Sequence, residues 1–399
     1  MAHGFLAGLR VLDLGQYVPG PYATLILGDL GAEVVKVEAP GGDPMRALGP
    51  AGQDGVAAGW RALNGGKTIV TLDLKDEAGQ AAFAELLSGA DVLVEAFRPG
   101  VLDRLGFPPD RLAALAPDLI HVAMTGWGAS GPYRDRAGHD LTYMALGGGL
   151  ALSGTGRAPD FAYPPISDYA SGMQAAIAVL AALAGRGRKG AAGGGVKLDV
   201  SMAESVLAWQ AWPLSEALGP DPTERRSHLL NGGAACYRLY QTAEGRHLAV
   251  AAIERKFWVA FCNAVDHPEW IPRHGEPMPQ RDLIETVGAV IRKKPLADWW
   301  RLFRDIDCCV EPIWHPEEVV EHPQIAARGL VSAGETGVSV LTPLFVDGRP
   351  PGERSPPLEA AAAAIVEAWR RGTEASPAPA APGSPGGRKK RSDAPAGPG

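Results

Sequence analysis

Short apolar runs alternate with helix-length segments through the first half of the chain, and this alternation limits the possible folds more than any other feature. RVLDLG is followed by PGPYATLILGDLGA and EVVKVEAP, and KTIVTLDL is followed by DEAGQAAFAELLSGA, DVLVEAF, GVLDRLGFPPDRLAAL and LIHVAMTGWG. Apolar strands joined by helices are typical of a parallel sheet that is covered on both faces. The sequence therefore predicts an α/β fold built on a parallel sheet.

A change in sequence pattern near residue 231 predicts a second domain. The stretch GAACYRLYQTAEGRHLAVAAIERKFW has the pattern of a β-hairpin with a Glu-Gly turn, followed by a helix. We predict a large domain over residues 1–215, a smaller α+β domain over 216–330, and a segment over 331–373 that returns to the large domain. Residues 374–399 are rich in Pro, Gly and Ala, so we expect a disordered tail there.

The composition argues against several classes of partner. Of the 399 residues 46% are hydrophobic, which is enough for a substantial core, and the formal net charge is -7. Nucleic acids and anionic membranes usually bind basic surfaces, so we expect neither as a partner. The longest apolar helical stretch, MQAAIAVLAALAG, is shorter than a bilayer requires, and a charge interrupts the N-terminal apolar residues. We therefore predict a cytoplasmic protein without a membrane segment.

The cysteines are consistent with that location. Cys236, Cys262, Cys308 and Cys309 include one adjacent pair and no Cys-x-x-Cys spacing. This pattern indicates neither a disulfide framework nor a zinc site. We expect free thiols in a reducing compartment and no bound metal.

The turn after the first predicted strand argues against a dinucleotide cofactor. Glu38 ends the second strand, as an acidic residue does in dinucleotide-binding domains. However, the turn GQYVPGP lacks the Gly-x-Gly-x-x-Gly pattern that lets a backbone approach a pyrophosphate. We therefore expect neither nicotinamide nor flavin.

Three titratable residues remain as candidates for chemistry. His139 lies in the motif AGHD, Asp168 follows PPIS at the start of a predicted helix, and Glu254 precedes RKF in the second domain. A histidine titrates near neutral pH and a helix start supplies backbone donors, so His139 and Asp168 are suited to exchanging protons with a carbon acid. The alternative is that His139 is an ordinary loop histidine and that Asp168, or Ser167 before it, only caps the helix.

Several segments in the same order carry a family resemblance over residues 5–360. They include GLRVLDLGQYVPGPYATLILGDLGAEVVKVEAPGGDPMR, LDLKDEAG, DVLVEAFRPGVLDRLG, GWGASGPYRDRAGHDLTY and PPISDYASGM. In these segments the chain resembles the superfamily of class III CoA-transferases and α-methylacyl-CoA racemases, and it is most similar to the racemase branch. The resemblance implies a Rossmann-like large domain, a smaller domain and an interlocked homodimer, with each active site between the large domain of one chain and the small domain of the other.

The resemblance implies two competing reactions on an acyl-CoA thioester. In the racemases, a histidine and an aspartate matching His139 and Asp168 remove and return the α-proton of a 2-methylacyl-CoA, and a glutamate matching Glu254 orients the histidine. In the transferases, the aspartate is instead a nucleophile that carries CoA to a second carboxylic acid. The AGHD motif favours the racemase reaction. A catalytically idle CoA-binding protein is a third hypothesis.

The same resemblance implies where coenzyme A binds as part of the substrate, with no metal or organic cofactor required. The matching positions are Leu72, Asp73, Leu74, Lys75, Phe97 and Arg104. The family often has an arginine after the glutamate of the second strand, where this chain has Ala39, and Arg46 or Arg98 are candidates to compensate. For the enolate oxygen we expect backbone donors at the start of the Asp168 helix, such as the N–H group of Tyr169.

Overall fold

A seven-stranded sheet forms the centre of the larger domain in the computed structural model, which describes residues 4–154, 157–160, 162–186, 194–220, 222–334 and 337–374. The β-strands in chain order are β1 Arg10–Leu14, β2 Glu33–Glu38, β3 Thr68–Thr71, β4 Val92–Glu95, β5 Ile120–Thr125, β6 Val196–Ser201, β7 Tyr237–Gln241, β8 His247–Ala251, β9 Val310–Pro312, β10 Val331–Gly334, β11 Gly337–Val340 and β12 Leu358–Glu359. The order in the sheet is β12-β3-β2-β1-β4-β5-β6, and all neighbouring strands are parallel. The order 3-2-1-4-5-6 is that of Rossmann-like domains, so the predicted fold class is confirmed.

Helices cover both faces of this sheet and build most of the smaller domain. In chain order they are α1 Pro19–Asp29, α2 Ala58–Asn64, α3 Glu77–Ser88, α4 Val101–Arg104, α5 Pro109–Leu115, α6 Asp140–Leu146, α7 Gly149–Leu152, α8 Ile166–Gly185, α9 Met202–Leu207, α10 Ala211–Ala217, α11 Arg255–Ala264, α12 Arg281–Ile291, α13 Leu296–Phe303, α14 Pro316–Glu321, α15 Pro323–Arg328 and α16 Ala362–Glu374. Short 3-10 helices span Pro44–Ala47, Ala208–Gln210, Leu229–Asn231 and Pro268–Gly275.

Successive residues of β1 face two separate cores. Val11 belongs to the buried cluster that contains Val179 of α8. Leu12, the next residue, belongs to the cluster that contains Phe83 of α3 and Trp369 of α16. Side chains alternate between the two faces of a strand, so a strand buried on both faces is apolar at nearly every position. This explains the continuous apolar runs of the sequence.

Residues from both ends of the chain share the large sheet. β12 pairs with β3, and α16 packs on α3, so a segment near the C-terminus closes one edge and covers one face. The proposed domain boundaries remain predictions. The predicted tail over residues 374–399 lies outside the described residues, apart from Glu374.

The sequence pattern predicted one helix over residues 100–115, and this prediction is wrong. Two short helices, α4 and α5, occupy it. Gly106 between them has φ +92°, a left-handed conformation that a helix does not contain, and Pro108 and Pro109 follow. The chain therefore turns before α5 begins.

The helix α8 is longer than the 13-residue apolar stretch suggested, because it begins at Ile166. Its 20 residues make it the one helix in the described ranges that has the length and composition to cross a membrane. A core helix of a soluble domain passes the same test. Here α8 packs along α1, and Ala175, Ala176 and Val179 lie in the buried cluster beneath the sheet.

The smaller domain contains an antiparallel sheet in the order β7-β8-β9. β7 and β8 form the predicted hairpin, and its turn includes Gly245 with φ +85°. The buried core under this sheet includes Trp258, Phe261 and Trp299. The four cysteines are free thiols, as expected, and Cys309 is the exposed one.

Candidate active site

A cleft opens at the carboxyl ends of β1, β4 and β5, where the order of the strands reverses. Ligands of open α/β sheets bind outside this switch point. The cleft has a volume of about 260 Å³ and is lined by Gln16, Tyr17 and Pro19 after β1, by residues 96–99 after β4, by 124–127 at the end of β5, and by Arg134, residues 136–139, Tyr143, Asp168 and Met202. His139, Asp168 and Phe97 thus lie in one cavity.

The loop after β1 rests on buried charges. Asp13 accepts hydrogen bonds from the backbone N–H of Gly15 at 2.7 Å, the Thr24 hydroxyl at 2.6 Å and the ammonium group of Lys67 at 3.0 Å. Lys36, also fully buried, pairs with Asp43 at 3.0 Å and donates to the carbonyl of Gly15. Burial alone would raise the pKa of Asp13, but the ammonium groups of Lys67 and Lys36 together with the hydrogen bond from Thr24 outweigh burial and lower the pKa.

Tyr17 forms one wall of the cleft in a strained backbone conformation. Its φ is +58°, which is costly for a residue with a side chain. Its backbone N–H donates to Asp43 Oδ1 at 3.3 Å, so the buried Lys36–Asp43 pair helps to hold the loop. The Tyr17 ring meets the His139 imidazole edge-on, with centroids 6.1 Å apart and an interplanar angle of 80°.

His139 lies immediately before α6, with an exposed side chain at the cleft. Its backbone N–H donates to Thr142 Oγ1 at 3.0 Å, and the Thr142 hydroxyl donates back to the His139 carbonyl at 2.7 Å. These two bonds cap the helix and define the direction in which the histidine leaves the backbone. No motif of the sequence indicated this role for Thr142.

Asp168 lies in the first turn of α8 and is half-buried beside a second carboxylate. The pKa of Asp168 is raised to about 7, mainly by burial and to a smaller extent by the negative charge of Asp140. The hypothesis that Asp168 or Ser167 caps this helix is wrong. The helix begins after Pro165, and Asp140 Oδ1 accepts the N–H groups of Ser167 at 2.6 Å and Asp168 at 3.3 Å.

The expected backbone donors for an enolate oxygen are therefore engaged elsewhere. The N–H groups of Ser167 and Asp168 bond to Asp140, and that of Tyr169 bonds to the Pro165 carbonyl at 3.2 Å inside the helix. The expectation that Tyr169 offers its N–H to the substrate is wrong, because the first turn of α8 is already closed.

Tyr143 of α6 reaches the cleft from below and is 6% exposed. Its ring packs edge-on against Trp127 at 4.8 Å. A Cβ atom on Gly126 would lie 2.4 Å from the Tyr143 hydroxyl oxygen, and one on Gly138 would lie 2.5 Å from the ring. The two glycines thus make room for this tyrosine. Burial, followed by the charge of Asp168, raises the pKa of Tyr143 to about 12.

The residues predicted to hold coenzyme A lie at the same edge of the sheet, but only Phe97 among them lines the cleft. Leu72, Asp73, Leu74 and Lys75 form the turn between β3 and α3, where Asp73 accepts the N–H of Lys75 at 2.9 Å. Arg104 is exposed at the end of α4. Gln80 links the two segments, because it donates to the Leu74 carbonyl at 3.1 Å and lies against Gly106.

Arg46 and Arg98 are the two candidates to compensate for the arginine that is missing at position 39. One of them, Arg46, already has partners within the protein. Arg46 pairs with Glu38 at 2.7 Å and with Glu359 at 2.9 Å, and its guanidinium lies over the Trp60 ring at 3.9 Å. Arg98 lines the cleft, and no ion pair joins it to another described residue. Arg98 is therefore the better candidate for an anionic ligand.

Glu254 does not reach the cleft of its own chain. It is exposed immediately before α11 in the smaller domain, where its charge adds to burial in raising the pKa of Cys309. Its predicted contact with His139 would require a second chain, and that contact remains a prediction. Within the described ranges, no group of three or more His, Cys, Asp or Glu side chains is arranged to hold a metal.

The order of these features along the chain matches a known family. The family model for CoA-transferase family III matches residues 6–359. This chain belongs to CoA-transferase family III. It is 33% identical to the α-methylacyl-CoA racemase of Mus musculus over 341 residues, which cover 83% of each protein. It is 30% identical to the succinyl-CoA:glutarate CoA-transferase of Mus musculus over 338 residues, which cover 82% of this chain and 76% of the relative.

Solved structures share the fold of this chain. A CaiB/BaiF family protein from Brucella suis superimposes with a TM-score of 0.79 at 28% identity, covering 91% of this chain and 99% of the other. Both racemases and transferases stand among the similar proteins at nearly the same identity. Family membership therefore leaves the reaction to be argued from the site.

Proposed function

We propose that this protein acts on acyl-CoA and epimerises a 2-methylacyl-CoA thioester by moving the α-proton between two faces of the α-carbon. The observation that carries the proposal is the presence of His139 and Asp168 in one cleft of a family III fold. The pKa of Asp168 is raised to about 7, so this carboxyl can hold a proton at neutral pH, as a general acid must.

The reaction needs one base and one acid at the same moment. Neutral His139 takes the α-proton, the electrons of the broken C–H bond pass into an enolate, and protonated Asp168 delivers a proton to the opposite face. A new C–H bond then forms with inverted configuration. A pKa of about 7 keeps a fraction of Asp168 protonated at neutral pH, which an aspartate at its ordinary pKa would not provide. The reverse direction exchanges the two roles.

The alternative is CoA transfer through Asp168. Its carboxylate would attack the thioester carbonyl, and the C–S bond would break to give a mixed anhydride and CoA thiolate. The thiolate would attack the aspartyl carbonyl of the anhydride, so that the C–O bond breaks, the original acid leaves as a carboxylate and an aspartyl-CoA thioester forms. The acceptor carboxylate would then repeat these steps in reverse order, which forms the new acyl-CoA and regenerates Asp168. The 30% identity to a succinyl-CoA:glutarate CoA-transferase supports this alternative. The raised pKa of Asp168 does not separate the two reactions, because a carboxyl with a pKa of about 7 is still partly ionised at pH 7.

The proposed coenzyme A site combines the turn of Leu72, Asp73, Leu74 and Lys75 with Phe97 and Arg104. The proposed active form is an interlocked homodimer in which Glu254 of the partner subunit meets His139. A cytoplasmic location also remains a prediction. No metal or organic cofactor enters the proposed reaction.

Proton NMR in deuterium oxide tests the proposal directly. The protein is incubated with a 2-methylacyl-CoA alone, and a free carboxylic acid is added only in a parallel sample. Loss of the α-proton signal without the acid supports epimerisation. A persistent α-proton, with acyl-CoA consumed only after the acid is added, would identify a transferase. No turnover in either sample, despite measurable CoA binding, would favour an idle binding protein.

A further inference from the structure

The enolate of the proposed reaction lacks an obvious donor in the first turn of α8. An enolate oxygen next to a thioester needs hydrogen bonds that are already in place when its charge develops. The backbone N–H groups of Ser167, Asp168 and Tyr169 are all bonded within the protein. The donor has to come from another part of the cleft wall.

Tyr143 offers a hydroxyl at the right place. The residue is 6% exposed and lines the cleft together with His139 and Asp168. Within the described residues no hydrogen bond engages this hydroxyl, so it is available to donate to a ligand in the cleft that Tyr143 lines. Tyr240 shows the ordinary situation, because its buried hydroxyl donates to the Ala235 carbonyl at 2.7 Å.

The surroundings of Tyr143 keep the hydroxyl protonated and the ring fixed. The nearby charge of Asp168 adds to burial in raising its pKa to about 12, so the group is a hydrogen-bond donor at neutral pH. Trp127 packs edge-on against the ring. Gly126 and Gly138 lie so close to it that a side chain at either position would collide with the tyrosine. A donor held in this way needs little reorganisation during the reaction.

We infer that Tyr143 is a catalytic residue whose hydroxyl donates a hydrogen bond to the enolate oxygen of the substrate. The inference rests on the proposed epimerisation. No proton leaves the tyrosine: the hydroxyl stabilises charge on oxygen while His139 and Asp168 move protons at the α-carbon.

The substitution Tyr143→Phe tests the hydroxyl without removing the ring. We expect the kcat for α-proton exchange to fall on the order of 10²- to 10³-fold, as for other oxyanion donors, with little change in KM, because the hydrogen bond strengthens in the transition state. Tyr133→Phe is the matched control. Tyr133 also packs edge-on against Trp127, at 5.3 Å, but it is 37% exposed and does not line the cleft.

A binding measurement keeps this test separate from the proposed function. The probe is a CoA thioether that carries a nitronate, a planar anion resembling the enolate, and the neutral ketone thioether serves for comparison. Calorimetry should show that Tyr143→Phe weakens nitronate binding at least tenfold and ketone binding much less. Equal weakening of both probes, or a wild-type rate in the variant, would overturn the inference. Wild-type protein that binds the nitronate but exchanges no α-proton would contradict only the proposed function.

Discussion

Asp140 Oδ1 accepts the backbone N–H of Asp168 at 3.3 Å, so the residue after His139 holds the start of the helix that carries the second candidate base. The same oxygen accepts the N–H of Ser167 at 2.6 Å. The Asp140 carboxylate thereby joins α6 to α8 and helps to set the distance between the side chains of His139 and Asp168. It also places a negative charge beside Asp168.

Replacing Asp140 by asparagine should separate these two effects. Asp140→Asn keeps an oxygen that can accept the two N–H groups but removes the charge, so the pKa of Asp168 should fall from about 7. The pH–rate profile of α-proton exchange should shift to lower pH on the limb that reports Asp168. Asp140→Ala loses the cap as well, and should cost about 1 kcal/mol of stability. An unchanged profile in the asparagine variant would contradict the electrostatic role of Asp140.

The raised pKa of Asp168 predicts a stability that falls with rising pH. The unfolded carboxyl loses its proton near pH 3.8, whereas the folded one keeps it until about pH 7. Between these values the native state binds more protons than the unfolded state, so the free energy of unfolding falls as the pH rises and levels off above pH 7. Asp168→Asn removes this dependence. The Tm of this variant minus the Tm of the wild type should therefore increase from pH 4 to pH 7. Calorimetric scans of both proteins measure this difference.

The exposed Asp103, substituted in the same way, is the control for that measurement. Asp103→Asn should follow the wild type at every pH. If the Tm of Asp168→Asn does not gain on the wild type between pH 4 and pH 7, then Asp168 is not buried with a raised pKa in solution.

The sheet was predictable because its strands are buried on both faces. Val11 and Leu12 serve two cores, so β1 is apolar at successive positions and recognisable without knowledge of its neighbours. The occurrence of His139 and Asp168 in one cleft followed from the family resemblance. The cap by Asp140 was not predictable, since a hydrogen bond across 28 residues leaves no local pattern. The same holds for Tyr143, whose place depends on Gly126 and Gly138 at opposite ends of the loop between β5 and α6.

His139→Ala should lower the rate of α-proton exchange by about 10²- to 10⁴-fold, the range ascribed to a general acid or base. The fold should be unaffected, because the side chain is exposed and the cap of α6 uses the backbone of His139. His267→Ala is a suitable control, as His267 pairs with Glu269 in the smaller domain away from the cleft. NMR in deuterium oxide measures both variants. A transferase would instead remain partly active in His139→Ala and lose CoA transfer in Asp168→Ala.

The strained conformation of Tyr17 predicts a trade-off between stability and activity. Glycine adopts φ +58° without the steric penalty that tyrosine carries, so Tyr17→Gly should relieve about 1 kcal/mol of backbone strain. It also removes the ring that meets His139, so the imidazole should be less well aligned and kcat should fall on the order of tenfold or more. Tyr17→Phe keeps both strain and ring, and should retain the wild-type behaviour. Thermal unfolding and α-proton exchange, measured on the same preparations, compare the three proteins. A glycine variant with full activity would show that the Tyr17 ring has no role in aligning the histidine.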